Sequence, residues 1–103
     1  MRDFDFSKVD GFEWDSAKDA ESQLKHGVGF EEAATAFRDL LSVTVPDPEH
    51  SRGASRYALV GVSYRRRLVV VVHTERRDTI RIISARRATR RERRTYEEAQ
   101  QET

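Results

Sequence analysis

Apolar and polar positions divide the 103-residue chain into a helical first part and a strand-rich second part. Phe12-Glu13-Trp14 alternates and reads as a short edge strand. Asp15 is an N-cap residue for a helix to about residue 26, with Ala17, Ala20 and Leu24 on one face and Gly27 as its left-handed stop. Phe30, Ala33, Ala34, Phe37 and Leu41 recur at helical spacing, which predicts a second helix over residues 30–40. Residues 41–45 alternate into a strand stopped by Pro46 and Pro48, and a polar, turn-like segment follows to residue 55. A strand over 56–63 then places Arg56, Ala58, Val60 and Val62 on one face, with Tyr57, Leu59 and Gly61 on the other.

The chain is organised around residues 65–94, RRRLVVVVHTERRDTIRIISARRATRRERR. Its two β-branched runs predict strands over 67–75 and 79–85. Neither alternates strictly, so both are expected to be central and covered on both faces. Short polar connections argue for an antiparallel meander. Thr89-Arg90-Arg91-Glu92 matches a capping box and opens a helix to about residue 99, whose apolar content is little more than Tyr96 and Ala99. The predicted class is α+β: two N-terminal helices packed on an antiparallel sheet of about four strands, with a C-terminal helix. Phe30, Ala33, Ala34, Phe37, Leu59, Val70, Val72, Ile80 and Ile82 are expected to share one core. Residues 12–103 read as a single domain, and 1–11 as a disordered lead-in or an alternative start.

Composition narrows the setting. The absence of cysteine excludes disulfides and thiolate metal sites, and no apolar run reaches membrane-spanning length, so a cytoplasmic protein is expected. The net charge of +1 conceals a division. Residues 1–51 carry 12 acids and 5 bases, whereas residues 52–103 carry 6 acids and 14 bases, all arginine. Part of this imbalance is absorbed by pairing between the halves. The clustering of the remainder points to an anionic partner, nucleic acid first.

Arginine keeps its charge at every pH and meets planar oxygen pairs bidentately, so the arginines at the strand ends are the first candidates for holding phosphate. Arg81, Arg86 and Arg87 lie in or beside a central strand, where a purely solvated face is less expected. His26, His50 and His73 have no metal-ligand spacing. His50, in a polar loop before the Arg56 strand, suits proton transfer near neutral pH, although a surface histidine without a role fits its spacing equally well. His26 beside Lys25 fits a C-terminal helix cation, and His73 has no assigned role.

Several ordered stretches resemble the BrnT family, ribonuclease toxins of bacterial type II toxin–antitoxin pairs. They are FEWD at 12–15, KHGV at 25–28, FEEAATAF at 30–37, PDPEHS at 46–51, RYALVG at 56–61 and HTERRDTIRIISARRATRRERRTYE at 73–97. The resemblance implies a RelE-like fold and RNA cleavage without metal or other cofactor. Its expected partner is a BrnA-type antitoxin with a ribbon-helix-helix DNA-binding domain. The complex would contact operator DNA through the antitoxin, with a toxin homodimer inside it as one arrangement. Residues that matter in the family fall on Lys25, His26, His50, Arg56, Arg81 and Arg86.

From these, His50, Arg56 and Arg86 are the catalytic candidates, and Lys25, His26, Arg81, Arg87 and Arg90 the RNA-binding ones. The chain departs from the family's HSxxExR pattern by reading HSRGASR, so Ala54 stands where many members carry glutamate. Natural variation or a detoxifying engineered change would each explain Ala54, and either removes the most obvious carboxylate base. The alternative reading is a non-catalytic basic module that docks an antitoxin or nucleic acid.

Overall fold

The computed structural model of the protein describes residues 11–47, 55–76 and 78–101. The lead-in over residues 1–10, together with His50 and Ala54, lies outside these. Strand β1 (Phe12–Glu13) leads into α1 (Ser16–His26), α2 (Phe30–Thr35) and a 3-10 turn (Ala36–Arg38). Strands β2 (Val43–Pro46), β3 (Tyr57–Val62), β4 (Leu68–Arg76) and β5 (Thr79–Arg87) follow, and α3 (Arg90–Gln100) ends the described chain. The strands form one sheet in the order β1-β5-β4-β3-β2. Four of them make the expected antiparallel meander. The short N-terminal strand adds a fifth, and it pairs parallel to β5, so the sheet is mixed rather than purely antiparallel. The two helices carry the chain from β1 to β2 at the opposite edge, and the meander then returns it to β5 beside β1.

Local signals hold at the helix ends. The Asp15 carboxylate accepts from the backbone N–H groups of Ala17 and Lys18 at 2.8 and 3.3 Å, and Gly27 closes α1 at φ 68°. The capping box of α3 is complete: Thr89 accepts from the Glu92 N–H, and the Glu92 carboxylate accepts from the Thr89 N–H at 2.8 Å.

The predicted buried face of α1 is reversed. Ala17, Ala20 and Leu24 face solvent, and Ser22 is the buried residue. A polar lock sets this rotation. The Ser22 hydroxyl lies 2.6 Å from the Val28 carbonyl and 3.0 Å from the Ala85 carbonyl. Asp19 accepts the Phe30 N–H at 2.8 Å. Satisfying these backbone groups outweighs the modest burial that two alanines and a leucine would gain. The second helix is also shorter than its apolar stripe suggests. Asp39 ends the segment by accepting from the N–H groups of Leu41 and Val62, which leaves Leu40 and Leu41 exposed.

Both faces of the central sheet are covered, by two different cores. Phe12, Val28, Phe30, Ala33, Ala34, Ala36, Leu59, Val69, Val71, Ile82 and Ala85 pack on the side of α2. Val60, Leu68 and Val70 pack on the other side with Ala58, Ala88 and Tyr96. Val70, and Val72 on the same face, therefore do not join the Phe30 core as expected. In the unbroken valine run of β4, alternation assigns Val69 and Val71 to one face and Val70 to the other, and the sequence pattern cannot say which is which. A bulge then intervenes, because His73 pairs with Ile82 while Val72 pairs with Ser84, leaving Ile83 extra in β5.

Phe30 is only 1% exposed, whereas Phe37 packs at the rim, edge-on to Phe12 at 5.2 Å and to His73 at 4.8 Å. Phe30→Ala is expected to cost about 3–5 kcal/mol and Phe37→Ala distinctly less. Urea denaturation of the two variants measures the difference.

Candidate basic groove

Strand β1 covers only Ile80 and Arg81 of β5, so the rest of that outer edge is left for α1. Between α1 and the sheet lies a groove of about 350 Å³. Lys18, Glu21, Ser22 and Lys25 reach it from one helical face at spacings of three and four, and His26 joins them from the last turn. The opposite wall carries Arg56, just before β3, with Val72 and the bulged pair Ile83 and Ser84. Bulges re-aim side chains, and Ile83 and Ser84 of this one line the groove together with Arg56.

The electrostatics of the groove are dominated by cations. Lys18, Lys25 and Arg56 bring three fixed positive charges, and Glu21 is the one carboxylate among the described lining residues. Glu21 pairs with Lys25 at 3.6 Å, and both side chains are largely exposed, so the pair is loose. The Arg56 Nε is buried and has no hydrogen-bond partner among the described residues. Such an orphaned donor is costly unless an acceptor arrives.

Lys25, His26 and Arg56, three of the sequence candidates, are thus brought together from α1 and the entry to β3. Arg86, Arg81, Arg87 and Arg90 sit elsewhere. Arg86 lies two residues along β5 from Ser84 and pairs with Val70, so it belongs to the next row of the same sheet face. Its guanidinium is clamped bidentately by Glu92, at 2.8 and 2.7 Å. The Arg86 clamp outweighs partial burial and, with the Thr89 bonds, pulls the Glu92 carboxyl down to about 2. Arg81 pairs with Glu13 at 2.9 Å across the parallel edge. Arg87 and Arg90 are exposed near the start of α3. His73, given no role from the sequence, is a core residue whose burial lowers its pKa below the usual 6.5.

Two features could not be singled out from the sequence. Glu21 gave no signal except its spacing to Lys25, which reads as an ordinary helix ion pair. Glu32, 6% exposed, accepts from Arg67 through both oxygens and from Ser63 at 2.7 Å. Burial pushes its carboxyl up, but the hydrogen bonds from Arg67 and Ser63 and the charges of Arg67 and Arg65 prevail and hold it below 4.5. Among the described residues no group of three His, Cys, Asp or Glu side chains is arranged to hold a metal ion, and no helix is long and apolar enough to cross a membrane.

The fold and groove define a small α+β domain with a cationic cleft between its first helix and a mixed sheet. Residues 14–92 match the family model described as the ribonuclease toxin BrnT of type II toxin–antitoxin systems, and the chain belongs to that family. Its fold is similar to the 1.1 Å crystal structure of the Brucella abortus ribonuclease toxin BrnT, with a TM-score of 0.61 and 22% identity. The match covers 78% of this chain and 97% of that one. No curated protein sequence matches the chain.

Proposed function

We propose that this chain is an endoribonuclease toxin that cleaves RNA without a metal ion, with the α1–β3 groove as its active site. The observation that carries the reading is the convergence of the neighbours Lys25 and His26 with Arg56, distant in sequence, on one groove. The reaction is a transphosphorylation. A base takes the 2′-OH proton, O2′ bonds to the adjacent phosphorus, the P–O5′ bond breaks, and O5′ takes a proton. Arg56 stabilises the charge that builds on the phosphorane oxygens. Arg86 contributes positive charge from the neighbouring row, oriented and partly neutralised by Glu92. Lys25 and His26 hold phosphate within the groove, and Arg81, Arg87 and Arg90 hold flanking phosphates. His50 is the proton-transfer candidate of the 46–55 segment.

The family implies an antitoxin and an RNA substrate as partners. For this chain the antitoxin is proposed to be of the BrnA ribbon-helix-helix type, linking a toxin dimer to operator DNA. The RelE-like relationship and a cytoplasmic setting are part of the same proposal.

The decisive test incubates the purified protein with a short labelled RNA in excess EDTA. The expected outcome is cleavage to products with 2′,3′-cyclic phosphate and 5′-hydroxyl ends. RNA that is bound but left intact would replace this reading with the basic docking module.

A further inference from the structure

Transphosphorylation needs a group that accepts the 2′-OH proton, and Ala54 offers none. We propose that Glu21 is this chain's proton acceptor, a catalytic residue supplied by α1. The inference rests on the ribonuclease reading of the groove and names the base within it.

The argument is one of placement. Glu21 is the one carboxylate among the described residues lining the groove, and it enters from the same helical face as Lys18 and Lys25. Arg56 faces it from the sheet wall. A phosphate bridging Lys25 and Arg56 would set its adjoining ribose against α1, within reach of a carboxylate one helical turn before Lys25. The Glu21–Lys25 pair at 3.6 Å is solvent-exposed and loose, so Lys25 can turn to the phosphate and release the carboxylate at small cost. The groups facing Glu21 are then Lys18, Lys25 and His26 of α1 and Arg56 before β3.

The step balances. The 2′-OH proton passes to the Glu21 carboxylate as the O2′–P bond forms, and the P–O5′ bond breaks. The departing O5′ takes its proton from solvent water, and exchange with solvent returns the Glu21 carboxyl to its starting state.

Glu21 is an exposed helix residue whose side chain holds no part of the core, so Glu21→Gln is expected to fold and melt as the parent does. Single-turnover cleavage of a short labelled RNA should fall about 10²–10⁴-fold in Glu21→Gln. Glu21→Asp should keep part of the rate. Binding of a fully 2′-O-methylated RNA of the same sequence, which cannot be cleaved, should be unchanged or tighter once the negative charge is gone.

A Glu21→Gln protein that cleaves at the parental rate would overturn the assignment and leave the ribonuclease reading standing. Parallel loss of cleavage and of binding would make Glu21 a binding residue and likewise overturn it. A parent protein that binds RNA and never cleaves it would overturn the ribonuclease reading, and Glu21 with it.

Discussion

Replacing Arg56 by alanine is expected to slow RNA cleavage about 10²–10³-fold, the usual cost of removing one preorganised donor from the charge developing in a transition state. Arg56 is the cation of the groove's sheet wall, and its Nε is buried with no acceptor among the described residues. A phosphate oxygen would satisfy that donor.

Two consequences separate this from a general loss of positive charge. Arg56→Lys should remain well below the parent, because an ammonium restores the charge without the planar fork. Arg81→Ala should have a much smaller effect on cleavage, since Arg81 is already paired with Glu13. Single-turnover rates of the three variants, with melting curves as controls, make the comparison. Equal losses in Arg56→Ala and Arg81→Ala would mean that the groove does not hold the reacting phosphate.

Arg67→Ala should be the most destabilising arginine substitution, at about 3 kcal/mol, because it leaves the buried Glu32 carboxylate with only the Ser63 hydroxyl and the more distant Arg65 charge. For a domain of this size that is a fall of well over 10 °C in Tm. Arg67 also donates to the Gly27 carbonyl at 2.8 Å, tying the start of β4 to the α1–α2 turn. Since breaking a buried pair costs far more than replacing it whole, the double variant Glu32→Gln, Arg67→Met should recover much of the loss.

The acid limb of stability has three origins, one of them Glu92, whose carboxyl is held down to about 2 by Arg86 and whose contribution above pH 4.5 is lost as pH falls toward that value. His73 has its pKa lowered by burial, so the unfolded chain binds its proton first, and stability begins to fall as pH drops below about 6.5. Glu32 has its net pKa lowered below 4.5, and the stability it contributes above that pH is lost as pH falls through its folded value. Chemical denaturation from pH 8 to pH 3 should therefore show a shallow decline and then a steep one. His73→Gln should flatten the first decline, and Arg67→Ala should remove the Glu32 part of the second while leaving the Glu92 part.

Local chemistry was legible in the sequence wherever a residue acts on its near neighbours. Asp15, Gly27 and the Thr89–Glu92 box define helix ends through bonds spanning two to four residues, and the β-branched runs define strands by their own shape. The meander followed from connections too short for any other pairing. Lys25, His26 and Arg56 were candidates because arginine, lysine and histidine suit phosphate chemistry wherever they stand.

Tertiary packing decided what depends on direction. The valines of β4 are chemically alike, so the choice of face between Val69 and Val70 was settled by the two layers packed against them. The α1 stripe of Ala17, Ala20 and Leu24 lost to Ser22 because two carbonyls far apart in sequence needed a donor. The same rotation turned Lys18, Glu21 and Lys25 into the groove. Arg86 and Arg56 read alike in sequence, yet Glu92 clamps one while the other has a donor with no described partner. A charge's availability is set by the countercharges that folding places beside it, and chain order does not record them.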